Sequence, residues 1–305
     1  MKHSCLALFL ALAGVACTSV GSPPRASSQE SGPSVARWQK IAADEQALPE
    51  GTSVHDLALE LASFASLSDP VLRDEIGYEV SARWIGAGRL SNADLHELFA
   101  LHLARLHTGL GEGEGDGVFL RSFSALHLSL LIARDNRQPF LEAADVTAAV
   151  SAVARSLREE RDRRGWAEGK GWAHPIAHAA DLTKFLARHR FLRTEDAAVL
   201  FSGLEAGFEG PNAWGENDRL AAAAQSLFLR EEFDAASLQA RCGVWIQDAR
   251  AVWQTQPFDT QLFRRTENRK QFLRALHARL STDPAPSEPK RSLAQRLLET
   301  LSDMP

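Results

Sequence analysis

The sequence predicts an all-α protein: an array of antiparallel helical hairpins, either a HEAT-like α-solenoid or an α/α superhelix, with no sheet. Three observations carry this. Leu and Ala dominate while β-branched residues are sparse, which favours helix over strand. Apolar residues recur at i, i+3 and i+4 in segment after segment, and none alternates with period two. The segments are joined by short turns, so neighbours run antiparallel and stack, as an open solenoid or a closed ring. Asp69-Pro70-x-x-Arg73 resembles the opening of a HEAT-type repeat, although no fixed period runs through the chain.

The elements follow in order. Arg37 to Leu48 is the first helix. Val54 to Leu67 is the second, with Leu57, Leu61, Phe64 and Leu67 on one face. Asp69 is a good N-cap and Pro70 suits a first helical position, so a third helix carries Ile76, Val80 and Trp84 until Gly86 to Gly88 end it. Ser91 caps the next, to about His107. Gly109 to Gly117 alternates glycine with Glu112, Glu114 and Asp116. It lacks the spacing of a calcium loop and reads as a flexible, solvated connector. Val118 to Arg134 is strongly apolar. Asp145 is expected to cap a helix to Arg161 and Thr194 one to about Phe208, with further helices from Pro175 to His189, Glu216 to Arg230 and Asp234 to Thr255. Asp259 then caps a basic helix to Leu280. Thr282 to Pro289 reads as a linker, and Leu293, Leu297, Leu298 and Leu301 as a last short amphipathic helix.

The domain plan is a signal peptide at 1–16, a flexible tether at 17–34, one helical domain at 35–281, and a linker with a short helix at 282–305. Lys2 precedes an apolar run from Cys5 to Ala16 that is too short to span a bilayer. Gly14-Val15-Ala16-Cys17 resembles a bacterial lipoprotein signal, which implies lipidation of Cys17 and anchoring in a bacterial cell envelope. A plain cleaved signal, giving a periplasmic or secreted protein, is the alternative. Ser, Pro and Gly between Thr18 and Pro33 suit a tether. Loss of Lys2 would take the formal charge from −5 to −6. That balance argues against nucleic-acid binding. The 45% hydrophobic and 24% charged residues suit a globular chain. Beyond the leader and Cys17 only Cys242 remains, so no internal disulfide is expected and Cys242 reads as a small buried apolar residue. Nine Lys or Arg against four acids between Asp259 and Arg296 make a basic stripe that suits either solvent or anionic lipid.

Candidate chemistry concentrates between Glu159 and Leu182. His174, His178 and Asp181 stand at i, i+4 and i+7, a set that could hold zinc or iron, with Glu160, Asp162, Glu216 or Asp218 as further ligand or base. Pro175 argues that His174 caps the helix instead of riding its face. Arg73, Arg121, Arg164 and Arg219 could instead pair with Asp74, Asp162, Asp181 and Glu216 in a network that locks helices in register. Trp166 and Trp172 flank Gly169 and Gly171, where they could line a groove for a sugar or peptide, or fill a gap between helices. There is no Gly-x-Ser-x-Gly, phosphate loop or Cys-x-x-Cys.

Taken in order, Leu72-Arg73-Asp74-Glu75, Val118 to Leu126, Glu160-x-Asp162-x-Arg164-Gly165-Trp166, and Lys170-Gly171-Trp172-Ala173-His174 with His178 and Asp181 resemble the bacterial family catalogued as domain of unknown function 2785. Glu216-Asn217-Asp218-Arg219-Leu220 resembles that family's acidic patch, with Asn replacing one acid. The resemblance covers about Val35 to Arg230 and implies an all-helical domain with no assigned activity. The expected function is a binding or scaffold module with a polar groove around residues 159–182. A metal-dependent hydrolase using the His/His/Asp set is the alternative. An envelope protein or peptide is the expected partner, and no cofactor is expected beyond zinc or iron.

Overall fold

A computed structural model describes residues 35–43, 48, 51–231 and 233–305. The leader, Cys17 and the tether lie outside the described residues, as does the end of the first helix. Twelve α-helices are present among the described residues, and the compact unit spans Ala36–Pro305. The fold is all-α, as the periodicity predicts. One feature departs from it: a two-stranded ribbon, described below, occupies the turn after residue 165.

The first helices are α1 (Val35–Ala43) and α2 (Val54–Ser63), which runs into a 3-10 turn at Phe64–Ser66. The expected third helix opens as a π-helix, Val71–Tyr78, before becoming α3 (Glu79–Gly86). Asp69 accepts from the Val71 N–H at 2.8 Å, so it caps the start as expected. The Glu79 N–H reaches back five residues to the Asp74 carbonyl, the signature of the wider turn. Leu72, Ile76, Val80 and Trp84 are all buried. Their four-residue spacing exceeds the α period, and the wide turn takes up the difference.

Five helices build the middle of the array: α4 (Asn92–Arg105), α5 (Gly117–Asp135), α6 (Ala143–Glu159), α7 (Pro175–Leu186) and α8 (Thr194–Glu209). The last four are α9 (Glu216–Phe228), α10 (Ala235–Val252), α11 (Thr260–Ser281) and α12 (Glu288–Asp303). Ser91 and Asp259 cap their helices as read, and Asp234 caps α10 as well. Asp145 instead sits one turn in, closing a capping box with Glu142, and Thr194 is the first helical residue after the cap. The C-terminal helix is longer than its leucines suggested and packs on α10 and α11 through Leu293 and Leu297.

Odd-numbered helices pack on odd ones, α5 on α7, α7 on α9 and α9 on α11, while α6 packs on α8. That arrangement is two layers of stacked hairpins. The core is continuous, from Ala58 in α2 to Met304 after α12. Helix α5 is buried nearly all round, which explains why it is long and apolar enough to pass for a membrane span. Cys242 is buried, and burial pushes its thiol up, as a packing role requires.

The α6–α8 contact is close enough to need a glycine. A Cβ at Gly203 would stand 2.9 Å from the Ala154 Cα. Ala normally gains about 1 kcal/mol over Gly inside a helix, whereas overpacking two backbones costs about 1–3 kcal/mol. Gly203→Ala is therefore expected to lower the urea midpoint; a rise would show that the layers are not in contact there.

Candidate functional site: an aromatic platform on a buried charge network

After α6 the chain leaves the helix at Glu160 and forms the ribbon, β1 (Trp166–Ala167) against β2 (Gly171–Trp172). Trp166 faces Trp172 and Ala167 faces Gly171. Further bonds run from the Ala173 N–H to the Gly165 carbonyl at 2.7 Å and from the His174 N–H to the Arg164 carbonyl at 3.1 Å. Gly169 and Gly171 have positive φ, as a turn this tight requires. The inner residues Ala167 and Ala173 pack on Val118, Phe119 and Phe123 of α5.

Period-two alternation is too short here to read from sequence, so the strands escaped prediction. The outer residues are Trp166 and Trp172, 44% and 41% exposed. They do not plug a gap between helices. Their rings meet edge to face at 5.2 Å. A third indole, Trp214 in the turn before α9, joins Trp172 at 6.0 Å and 79° and is 48% exposed. Trp214 lies against the Gly165 backbone, where a Cβ would come within 2.2 Å of its ring. Sequence reasoning missed Trp214. The available signal was its place beside Gly215, matching Gly165-Trp166 and Gly171-Trp172.

Behind the indoles lies a network of buried charge. Arg73 is fully buried; it donates to Asp74 at 2.7 Å, to the Leu67 carbonyl at 3.0 Å and to the Lys170 carbonyl at 2.8 Å. Its guanidinium stacks on Phe119 at 4.1 Å and Phe123 at 4.7 Å. Burial pushes the Asp74 carboxyl up to about 6, even with Arg73 beside it. Arg121 makes a two-pronged pair with Glu160 at 2.6 and 3.0 Å, both buried, and also donates to the Thr108 and Gly109 carbonyls. Glu160 in turn accepts the Asp162 N–H.

Asp162, fully buried, takes two bonds from Arg164 at 2.8 and 2.6 Å and one from the Gly115 N–H. Burial opposes its charge, but the bonds from Arg164 and Gly115 outweigh it and hold the carboxyl below the usual range. Lys170 pairs with Asp116 at 2.6 Å. The Gly109–Gly117 loop is thus tied to the ribbon and is not the free connector its composition suggested.

The expected polar groove is corrected by this geometry. Arg73, Arg121, Glu160, Asp162 and Glu216 are all buried. Buried charge must be paired, so these residues support the ribbon from behind while the indoles face solvent. Glu216 accepts the backbone N–H of Trp214 at 2.7 Å and so fixes the turn that carries the third ring. Asp218 is exposed on α9 and stays outside the network.

The expected zinc or iron set does not assemble. His174 caps α7 at φ 49°, in left-handed backbone, with its ring 4.3 Å from Trp172. The His174 and His178 rings stand perpendicular, 6.1 Å apart. Asp181 spends one oxygen on Lys184 at 3.0 Å and the other on Arg219 at 2.7 Å. Among the described residues, no three His, Cys, Asp or Glu side chains form a group that could hold a metal ion.

The Ser122 hydroxyl donates to the Ala173 carbonyl, so it accepts from His178 Nδ1 at 2.7 Å. Ser122 is buried and its proton is committed, which suits a structural tie and not a nucleophile. Burial lowers His178 to about 3 and also lowers His174, so both rings stay neutral. Tyr78, also missed by the sequence reading, is pushed up to about 12 by burial and by the charge of Asp181.

The family model described as "Protein of unknown function (DUF2785)" matches residues 106–278, more than half of the chain. The chain belongs to this family. The matched span holds the ribbon, the Arg121–Glu160 and Arg164–Asp162 pairs and Trp214. It begins after the Leu72–Glu75 motif and runs well beyond Arg230. Comparison with curated proteins and with solved structures gave no match. The DUF2785 region is thus the part of the array from the end of α4 through most of α11.

Proposed function

We propose that this DUF2785 protein is a binding module whose contact surface is the platform of Trp166, Trp172 and Trp214. One observation carries the reading: three indoles stand about half exposed on backbone held by buried ion pairs. Large exposed aromatic rings favour a ligand that covers them. Rigid rings lose little entropy when they are covered, so a preorganised platform binds more tightly than a mobile one. The left-handed backbone at His174 costs energy, and such strain gathers at functional positions. A flat sugar face or an extended peptide carrying apolar side chains suits the angles between the rings.

The lipoprotein-type leader supports a place in the cell envelope, with Cys17 lipidated and the domain held off the membrane by residues 17–34. An envelope protein or peptide is then the nearest source of ligand. Trp172→Ala removes the central ring, which touches both others and His174. Loss of a central aromatic anchor costs about 2 kcal/mol or more, roughly thirtyfold in affinity. In pull-downs from solubilised envelopes, Trp172→Ala is expected to lose a partner that wild type retains, with an unchanged helical circular dichroism spectrum. Equal retention by both proteins would sink the platform as a contact surface.

A further inference from the structure

A second aromatic cluster stands elsewhere, in the loop joining α10 to α11. Trp253 is 61% exposed and Phe258 is 47% exposed. With Phe263 they form a triangle of rings, with centroids 6.2, 6.1 and 5.7 Å apart. Arg264 and Arg265 follow on the first turns of α11 and are exposed. The neighbouring acids are already engaged. Asp259 accepts the Gln261 and Leu262 N–H groups, Asp248 pairs with Arg269, and Glu267 pairs with Lys270. Arg264 and Arg265 have no carboxylate partner among the described residues.

We infer that Trp253, Phe258 and Phe263, with Arg264 and Arg265, dock this chain on the surface of an anionic lipid bilayer. Both halves of the chemistry are present. Indole and phenyl rings settle at the headgroup level of a membrane. Each neighbouring cation adds about fivefold to partitioning on an anionic surface. Two rings on the loop and one on the first turn of α11 cover far less than the roughly 800 Å² per partner of a stable protein interface, but they suffice for an anchor that sinks only to headgroup depth. The basic stripe read from sequence therefore divides. Arg269 and Lys270 turn inward to Glu209, Asp248 and Glu267, while Arg264 and Arg265 remain for lipid. This inference is independent of the Trp172 platform and of the identity of its ligand.

The test uses the full chain and vesicles of phosphatidylcholine with or without phosphatidylglycerol. In flotation, wild type is expected to favour the phosphatidylglycerol vesicles. Trp253→Ala with Phe258→Ala should reduce the bound fraction at least tenfold. Arg264→Gln with Arg265→Gln should reduce it about twenty-five-fold and remove the preference for anionic lipid. Trp172→Ala should float like wild type. The apolar run at 5–16 is common to every variant, so a site-specific readout accompanies flotation. Brominated lipid should quench wild-type fluorescence more than that of Trp253→Phe. Equal quenching in wild type and Trp253→Phe overturns the inference, whatever the flotation. So does self-association abolished by the ring variant without any vesicle binding, which would make the face a protein interface.

Discussion

Arg73→Ala is expected to lower stability by about 3–5 kcal/mol, the range for breaking a buried ion pair by removing one partner. Three losses combine in it. Asp74, half-buried, loses its cation, and burial pushes that group up to about 6 even with Arg73 in place. The Leu67 and Lys170 carbonyls lose donors at 3.0 and 2.8 Å. Phe119 and Phe123 lose the flat guanidinium between them, leaving a cavity. Lysine cannot restore the planar fork, so Arg73→Lys should recover only a small part. The measurements are the urea midpoint and the emission of the platform indoles, which should shift to the red as the ribbon loosens. A loss under 1 kcal/mol would mean that Arg73 does not hold the ribbon.

Acidification from pH 7 to 4.5 is expected to destabilise the protein before its carboxylates matter. His102, His127, His178 and His189 all titrate below the ordinary 6.5, in each case through burial first. The unfolded chain therefore takes up protons that the folded chain refuses. Stability is fully present above 6.5 and falls as pH drops toward the folded values, about 3 for His178. At pH 4.5, two pH units below the unfolded value, His178 alone costs about 2.7 kcal/mol, and the other three add in the same direction. The stacked His102–His127 pair, 4.6 Å apart, also resists double protonation.

Three groups act in the opposite sense: His55, Asp74 and Glu205, the last raised by burial. Exposed His55 gains a proton through its bond to Asp94, and Asp74, raised to about 6, is protonated sooner in the folded chain. Asp135, Asp162 and Asp196 are held below 3.8, so their stabilisation is lost only at lower pH. Melting temperature followed from pH 7.5 to 4 is the measurement. A flat profile down to pH 4.5 would contradict the burial of these histidines.

Much of the fold was legible in the sequence because helix periodicity is a local signal. Ser91 and Asp259 announced their helices through the side chain that caps them. The π-turn at Val71–Tyr78 was only half visible: Leu72, Ile76, Val80 and Trp84 are spaced by four, but the close approach of Phe64 to Gly77 is a contact between segments that no local pattern carries. Of the network, the pairing of Arg73 with Asp74 and Arg164 with Asp162 could be guessed from proximity along the chain. That Arg121 turns to Glu160, 39 residues away, is set by how α5 lies against the end of α6. The ribbon was hidden because two-residue strands carry no pattern. Trp214 was hidden because it reaches the other indoles from a distant turn. The His/His/Asp spacing misled because Arg219 and Lys184 occupy Asp181 and left-handed backbone takes His174 off the helix.

Arg73 also sets a timetable for the emerging chain. Its carbonyl partners at Lys170 and Trp172 lie 97 and 99 residues downstream. At a synthesis rate of about 5–20 residues per second, they follow it from the ribosome by roughly 5–20 s. Until then Arg73 has Asp74 and the Leu67 carbonyl but lacks its two acceptors on the ribbon. The full set of bonds around its guanidinium can therefore close only once residue 172 has emerged.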